Sequence, residues 1–211
     1  MLVYFVRHGE SEFNAQHLHQ HPEVPLSELG RKQAGFLAER LARVPFDAVL
    51  ASPYLRAKET ALIINKGIGK PIEELDILVE LRRPSEIEGR PSRAPEVETI
   101  KDLIIENYEK GDDVWRYSDE ENFYEFRARA LELLRRLESR TEKHILAVSH
   151  GAFIKMTLAA ALFGPAVAPR DFLRFYHGFK SSNTGVSVIE RKESGWRVVT
   201  WNDLAHLDHL E

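Results

Sequence analysis

Val3-Tyr4-Phe5-Val6-Arg7-His8-Gly9-Glu10 near the start of the chain and Ile145-Leu146-Ala147-Val148-Ser149-His150-Gly151 far downstream share one pattern: four apolar residues, one polar residue, then His-Gly. A short apolar run without alternation reads as a strand buried on both faces, which is the habit of parallel sheets. Parallel strands bring their carboxyl ends to one edge, where open α/β sheets bind ligands. His8 and His150 are therefore expected to meet across one crevice.

Working outward, residues 2–6 read as a strand, residues 8–25 as a loop, and the segment after Ser27 as a helix that Ser27 caps, with Ala34, Leu37, Ala38 and Leu41 at helical spacing. Residues 46–51 read as a second buried strand ended by Ser52-Pro53, and 57–65 returns to helical spacing. Residues 75–81 suggest a short strand or extended segment, followed by helices over about 95–109 and 120–139. A strand at 144–148, a strongly apolar helix over 152–163 and a hairpin of 186–190 with 196–201 complete the pattern. The order predicts an α/β fold: a three-layer α/β/α sandwich with a mostly parallel sheet and an antiparallel edge.

The chain has 211 residues, 43% of them hydrophobic, with no linker-like segment and no internal repeat beyond the two His-Gly ends. One domain spanning 1–211 is expected, with a helical insert over about 82–140. A net charge of -4 supplies no global field for a nucleic-acid backbone, so any bound anion must find a local positive pocket. No apolar stretch is long enough to cross a bilayer, and the start turns charged too early for a secretory signal, so a cytoplasmic protein is expected. The absence of cysteine excludes disulfides and thiol chemistry.

The Arg7-His8 pair suggests a nucleophile site, because a neutral imidazole can attack a phosphoryl group while a guanidinium binds its oxygens bidentately. Arg56, just beyond the second strand, offers a second guanidinium at the same edge.

These pieces resemble the histidine phosphatase, or phosphoglycerate-mutase-like, superfamily. The resemblance rests on an ordered set: Arg7-His8-Gly9-Glu10-Ser11 with Asn14, Leu26-Ser27-Glu28-Leu29-Gly30 with Gln33-Ala34, Ser52-Pro53 with Arg56, Glu59-Thr60-Ala61, Leu78-Val79-Glu80, and Ser149-His150-Gly151. It implies a metal-independent phosphomonoester hydrolase that needs no cofactor and acts on a small phosphorylated metabolite, releasing inorganic phosphate. His8 would become phosphohistidine, Arg7, Arg56 and His150 would hold the transferring group, and Glu80 would protonate the leaving oxygen. Glu86 and Glu88 are rivals to Glu80. Ser11, Asn14, Gln20, Thr184 and the N–H groups of Gly151 and Ala152 are expected substrate contacts. Gln20 points to the phosphatase branch, but His21 stands where the family usually has glycine, which leaves that turn's shape open.

Plainer readings stand beside these. Arg56 could pair with Glu59, three residues further along the same helix; Lys155 reads as a surface charge and His206 and His209 as part of a solvated tail. His17, His19 and His21 alternate as metal ligands can, but nothing completes a site, so they read as a polar loop at the pocket mouth and no metal is expected. Aromatics between Glu106 and Phe126 read as core of a helix pair covering the site, with its acids repelling large polyanions. A mutase-type phosphotransferase and a non-catalytic phosphate-binding module remain as alternatives. The edge of the C-terminal hairpin is a candidate surface for a homodimer.

Overall fold

The computed structural model describes residues 1–208, so His209 lies outside the described residues. Six strands form one mixed sheet: β1 (Leu2–Arg7), β2 (Ala48–Ala51), β3 (Ile72–Glu74), β4 (His144–Ser149), β5 (Val186–Lys192) and β6 (Gly195–Asp203). Their order is β3-β2-β4-β1-β5-β6. The first four are parallel, and β5 and β6 form the antiparallel edge. The register pairs Val6 with Val148 and Arg7 with Ser149, so the two His-Gly pairs emerge side by side.

Side-chain alternation along the central strands builds two cores. Val3, Phe5, Ile145 and Ala147 face the layer that contains α4 (Pro95–Lys110), α5 (Phe123–Glu138), α6 (Gly151–Phe163) and α7 (Pro169–Gly178). Val6, Leu146 and Val148 face the opposite layer, with α2 (Glu28–Leu41) and α3 (Leu55–Asn65). Both faces of β1 and β4 are thus covered, which is why their sequences read as uninterrupted apolar runs.

Local signals explain the helix boundaries. Ser27 accepts a hydrogen bond from Gly30 N–H and starts α2, and Asn122 makes a reciprocal capping box with Glu125 to start α5. Gly111 ends α4 in the left-handed region at φ 82°.

Three local expectations change. The third strand is the polar Ile72–Glu74, which pairs only with β2; the apolar run behind it forms a 3-10 turn at Asp76–Leu78 that points Ile77 and Leu78 into the core. The loop after β1 contains a one-turn helix, α1 (Glu12–Ala15), capped by Ser11. The segment after α6 holds α7, which begins at Pro169 and buries Phe172.

Candidate active site

The site sits where β1, β4 and β2 end next to one another. His8 is buried, its N–H donates to the Ser149 carbonyl at 3.0 Å, and its ring centroid lies 5.1 Å from that of His150. Two glycines let the loop close down here. A Cβ on Gly9 would approach Gly30 O to 2.5 Å, and one on Gly30 would approach Glu10 O to 1.9 Å, so the Arg-His-Gly-Glu turn and the start of α2 touch backbone to backbone. Thr60 accepts from Gly9 N–H at 3.0 Å and fixes the same turn to α3.

The hydrogen bonds on the His8 ring define its tautomer. Nδ1 lies 2.7 Å from the Gly9 carbonyl, which can only accept, so Nδ1 carries the proton; Nε2 then has the lone pair and accepts from Arg56 Nε at 3.2 Å. Burial, together with Arg56 and Arg7, holds the His8 pKa well below its usual value, which keeps the ring neutral at pH 7. Burial also lowers that of His150, again with Arg56 and then His8 contributing. Its Nε2 is 2.8 Å from Ser52 Oγ, and its Nδ1 is buried without a partner among the described residues.

Two guanidiniums flank the imidazoles. Arg56 is almost fully buried, donates from Nη1 to the His21 carbonyl at 2.9 Å and stacks over Tyr54. Burial lowers its pKa to about 10, opposed by Glu80. Arg7 donates to the Ser181 carbonyl and has a buried Nε without a partner among the described residues; burial lowers its pKa too, against the pull of Glu80. The helical partner suggested for Arg56 is otherwise engaged, because Glu59 accepts from Leu26 N–H at 2.9 Å and from Arg31.

Glu80 hangs over the start of α6. Its carboxylate accepts from the N–H groups of Ala152 at 3.1 Å, Phe153 at 3.0 Å and Leu81 at 2.9 Å. Its oxygens thereby partner N–H groups that a helix start otherwise leaves free. This corrects the expectation for Ala152, whose N–H serves Glu80 rather than facing the anion. The 3-10 turn behind Glu80 is fixed by Ser149 Oγ, which donates to the Leu78 carbonyl at 2.7 Å, and by Arg129. From α5, Arg129 donates to the carbonyls of Ile77, Val79 and Glu80 while pairing with the buried Glu121 at 2.6 Å. Glu86 and Glu88 are exposed, and Glu88 stands at the rim beside His21.

Of the expected substrate contacts, Gln20 lines the cavity of about 210 Å³ together with Arg56, Glu80 and Ala152. Its Oε1 accepts from Ser11 Oγ at 2.8 Å, and its Nε2 is buried without a partner among the described residues. Ser11 and Asn14 cap α1 with each other, and Gly151 packs against the Arg7 side chain. Thr184 is a correction. It sits fully buried at φ 57°, its N–H donates to the carbonyls of Arg7 and His8, and its hydroxyl meets Asn183 O and His206 Nε2 at 2.9 Å. It braces the backbone beneath His8.

The histidine-rich turn takes its left-handed residue at His17, φ 56°, so position 21 needs no glycine. Gly89 N–H and Arg90 O bond the backbone of His19, which anchors the loop to the segment after Glu88. His19 and Gln20 face the cavity, whereas His17 and His21 are exposed. Two further expectations fail. Lys155 is buried and donates to the Tyr176 carbonyl at 2.6 Å, and His206 is buried beside Arg40 and Thr184. Sequence reasoning missed Arg129 and gave Ser52 no role of its own; Asn183 donates to the His8 carbonyl at 3.0 Å.

A family model for the histidine phosphatase superfamily (branch 1) matches residues 3–204. The chain belongs to the histidine phosphatase superfamily. Within it, the chain is 31% identical over 97% of its length to an uncharacterised phosphatase, PhoE, of Bacillus subtilis, covering 96% of that protein. It is 30% identical over 98% of its length to a probable phosphoglycerate mutase, GpmB, of an Enterobacter species, covering 94% of it. A phosphoserine phosphatase variant of Entamoeba histolytica, solved with phosphoserine, superposes with a TM-score of 0.79 at 25% identity, covering 98% of each chain. Superfamily membership and these relatives make the chain a member of an enzyme family of phosphatases and mutases with an α/β fold. No helix among the described residues is long and apolar enough to cross a membrane.

Proposed function

We propose that this protein is a metal-independent phosphomonoesterase that works through a phosphohistidine at His8. The observation that carries the reading is the pair of bonds on the His8 ring: Nδ1–H tied to the Gly9 carbonyl and a lone pair on Nε2 beside Arg56. A neutral imidazole oriented this way is a nucleophile that needs no further base. Arg7, Arg56 and His150 hold the three equatorial phosphoryl oxygens, where transition-state charge is spread. When an ester binds, the Arg56 N–H that faces Nε2 turns to a phosphoryl oxygen and uncovers the lone pair.

The chemistry closes in two steps. His8 Nε2 forms a bond to phosphorus as the ester P–O bond breaks, and the leaving oxygen takes a proton from Glu80. Water then attacks the phosphohistidine, its proton passes to Glu80, the P–N bond breaks and inorganic phosphate departs. Glu80 stands on the cavity wall at the start of α6, beside Arg56, and that place within the cavity supports the role. We read residues 82–140 as the insert that shapes the leaving-group side of a single domain.

Hydrolysis of an aryl phosphate in the presence of EDTA, with an acid-labile phosphoenzyme that is absent in His8→Ala, is the expected result. Activity that disappears with chelator and returns with a divalent metal would overturn it. The similarity to a probable phosphoglycerate mutase supports a second reading, phosphotransfer through the same His8. Interconversion of 2- and 3-phosphoglycerate faster than phosphate release would favour that reading.

A further inference from the structure

A second cavity, of about 360 Å³, adjoins the catalytic one. The two share His19, Leu81, Arg83 and Tyr176 as lining residues, so these side chains stand at the doorway between them. Its walls come from α4 and α7. Ile104, Ile105 and Leu173 supply apolar surface, and Tyr108 and Tyr176 supply ring faces. The charged and titratable groups that face it are basic: Arg83, Lys101, His19 and His177, with no carboxylate among the described lining residues. A chamber of this size and lining is the kind that encloses a small organic group.

The cations differ in availability. Lys101 is already paired with Glu98 at 2.8 Å and donates to the Ser92 carbonyl. Burial, with Lys101 and Arg83 adding to it, lowers the His19 pKa to about 4, so His19 enters as a neutral ring at pH 7. Arg83 has no acidic partner within salt-bridge distance among the described residues, although its neighbour Arg82 reaches Glu121 at 3.8 Å. A half-buried guanidinium at a doorway, left unpaired in a surface otherwise rich in ion pairs, suits an anion brought by a ligand.

We infer that the second cavity is the leaving-group chamber and that Arg83 is its specificity-determining residue. The preferred substrates are phosphomonoesters whose alcohol carries an apolar or aromatic body ending in an anionic group. The body lies between Ile104, Leu173 and the two tyrosine rings, and Arg83 binds its terminus. This inference rests on the phosphatase reading above and names the substrate class for that site.

The test compares 3-phenylpropyl phosphate with 3-(4-carboxyphenyl)propyl phosphate. Three methylenes insulate the ester from the carboxylate, so both leaving alcohols have the same intrinsic reactivity. The wild type is expected to favour the carboxylated ester in kcat/KM by about 10- to 100-fold, the range of a charged hydrogen bond. Arg83→Gln is expected to erase that preference through KM while changing the uncharged ester less than about twofold. Equal use of both esters by the wild type, or an equal loss on both in Arg83→Gln, overturns the inference. If neither ester turns over, the phosphatase reading fails separately. Calorimetric binding of the two intact esters to His8→Ala then decides the chamber alone: tighter binding of the carboxylated ester that Arg83→Gln removes supports it, and equal binding overturns it.

Discussion

The strand-end edge and the helical layer above it treat arginine in opposite ways. In the helical layer, Arg127 meets Asp113 at 2.9 Å, Arg116 meets Glu125 at 2.7 Å and Arg129 meets Glu121 at 2.6 Å. At the strand ends, Arg56 is buried and Arg7 partly buried, yet among the described residues neither has a carboxylate within 4.0 Å. Their hydrogen bonds go to the Ser181 and His21 carbonyls and to His8 itself. Burying a cation without an opposite charge is costly. The difference teaches that the helical layer is arranged for its own stability, whereas the edge keeps its guanidiniums free for the anion that the proposed function brings.

The most severe way to break the comparison is at Arg129, which belongs to the paired layer but serves the edge through the carbonyls before Glu80. Arg129→Met leaves the almost wholly buried Glu121 without its main partner, and unfolding in urea is expected to show a loss of about 3–5 kcal/mol. Replacing both, Arg129→Met with Glu121→Leu, removes the stranded charge and should recover most of that stability. The catalytic defect should remain, because the Ile77, Val79 and Glu80 carbonyls still lack their donor. A double variant with both stability and kcat restored would show that Arg129 has no positioning role.

Less of the second region than of the first was legible in the sequence, and the reason is physical. His8 and His150 are legible because a doubly buried strand leaves an unbroken apolar run, and the register Arg7 to Ser149 then follows from two runs of equal length. Glu80 was reached only by resemblance, since its partners are the N–H groups of a helix start far along the chain, and backbone donors leave no mark on composition. Arg129 escapes for the same reason: it acts on carbonyls. Ala152 was assigned to the wrong anion because a helix N-terminus does not specify which negative group will occupy it. Lys155 did carry a signal that the reading passed over. It lies in α6, which is apolar on every side, and such a helix is buried all round, so any residue within it needs an internal partner. Tyr176 supplies that partner from α7, the helix that the sequence reading left unassigned.

The comparison sharpens at Arg56, which is proposed to bind the anion and which lowers the His8 pKa. Arg56→Gln removes one charged donor from the phosphoryl site, and kcat/KM is expected to fall about 10²- to 10³-fold. The pH profile separates this from simple damage. In the wild type His8 is neutral down to well below pH 6.5, so the acid limb of kcat/KM lies on the acid side of that value. Without Arg56 the His8 pKa rises, the protonated fraction at a given acidic pH grows, and the limb moves to higher pH. A rate loss with the limb unmoved would mean that Arg56 does not act on His8. Inorganic phosphate should raise the wild-type Tm and raise that of the variant less, because the ligand relieves a buried charge that the variant no longer has.

The smallest effect tests whether the bracing beneath the nucleophile belongs to the unpaired edge or to the paired periphery. His206 connects the two: Nε2 meets the Thr184 hydroxyl, which donates onward to Asn183 O, while Arg40 approaches Nδ1 and itself pairs with Asp203. Since Thr184 Oγ1 already spends its proton on Asn183, Nε2–H must donate and Nδ1 must accept. A second proton would therefore land on the nitrogen facing the Arg40 guanidinium. Burial and Arg40 lower the His206 pKa from 6.5 to about 4. Between those two values the unfolded chain binds the proton and the folded chain does not, so stability is complete above the upper value and declines as pH falls towards the lower one. One such site slopes stability by at most about 1.4 kcal/mol per pH unit. His206→Gln keeps a donor and an acceptor but cannot titrate, so its urea midpoint should fall less between pH 7 and pH 5 than that of the wild type. His8, His19 and His150 have lowered pKa values as well and remain in both proteins, so the difference isolates the one site. Identical pH dependence in the two would assign His206 to the periphery, bonded to Thr184 without being coupled to the fold of the catalytic edge.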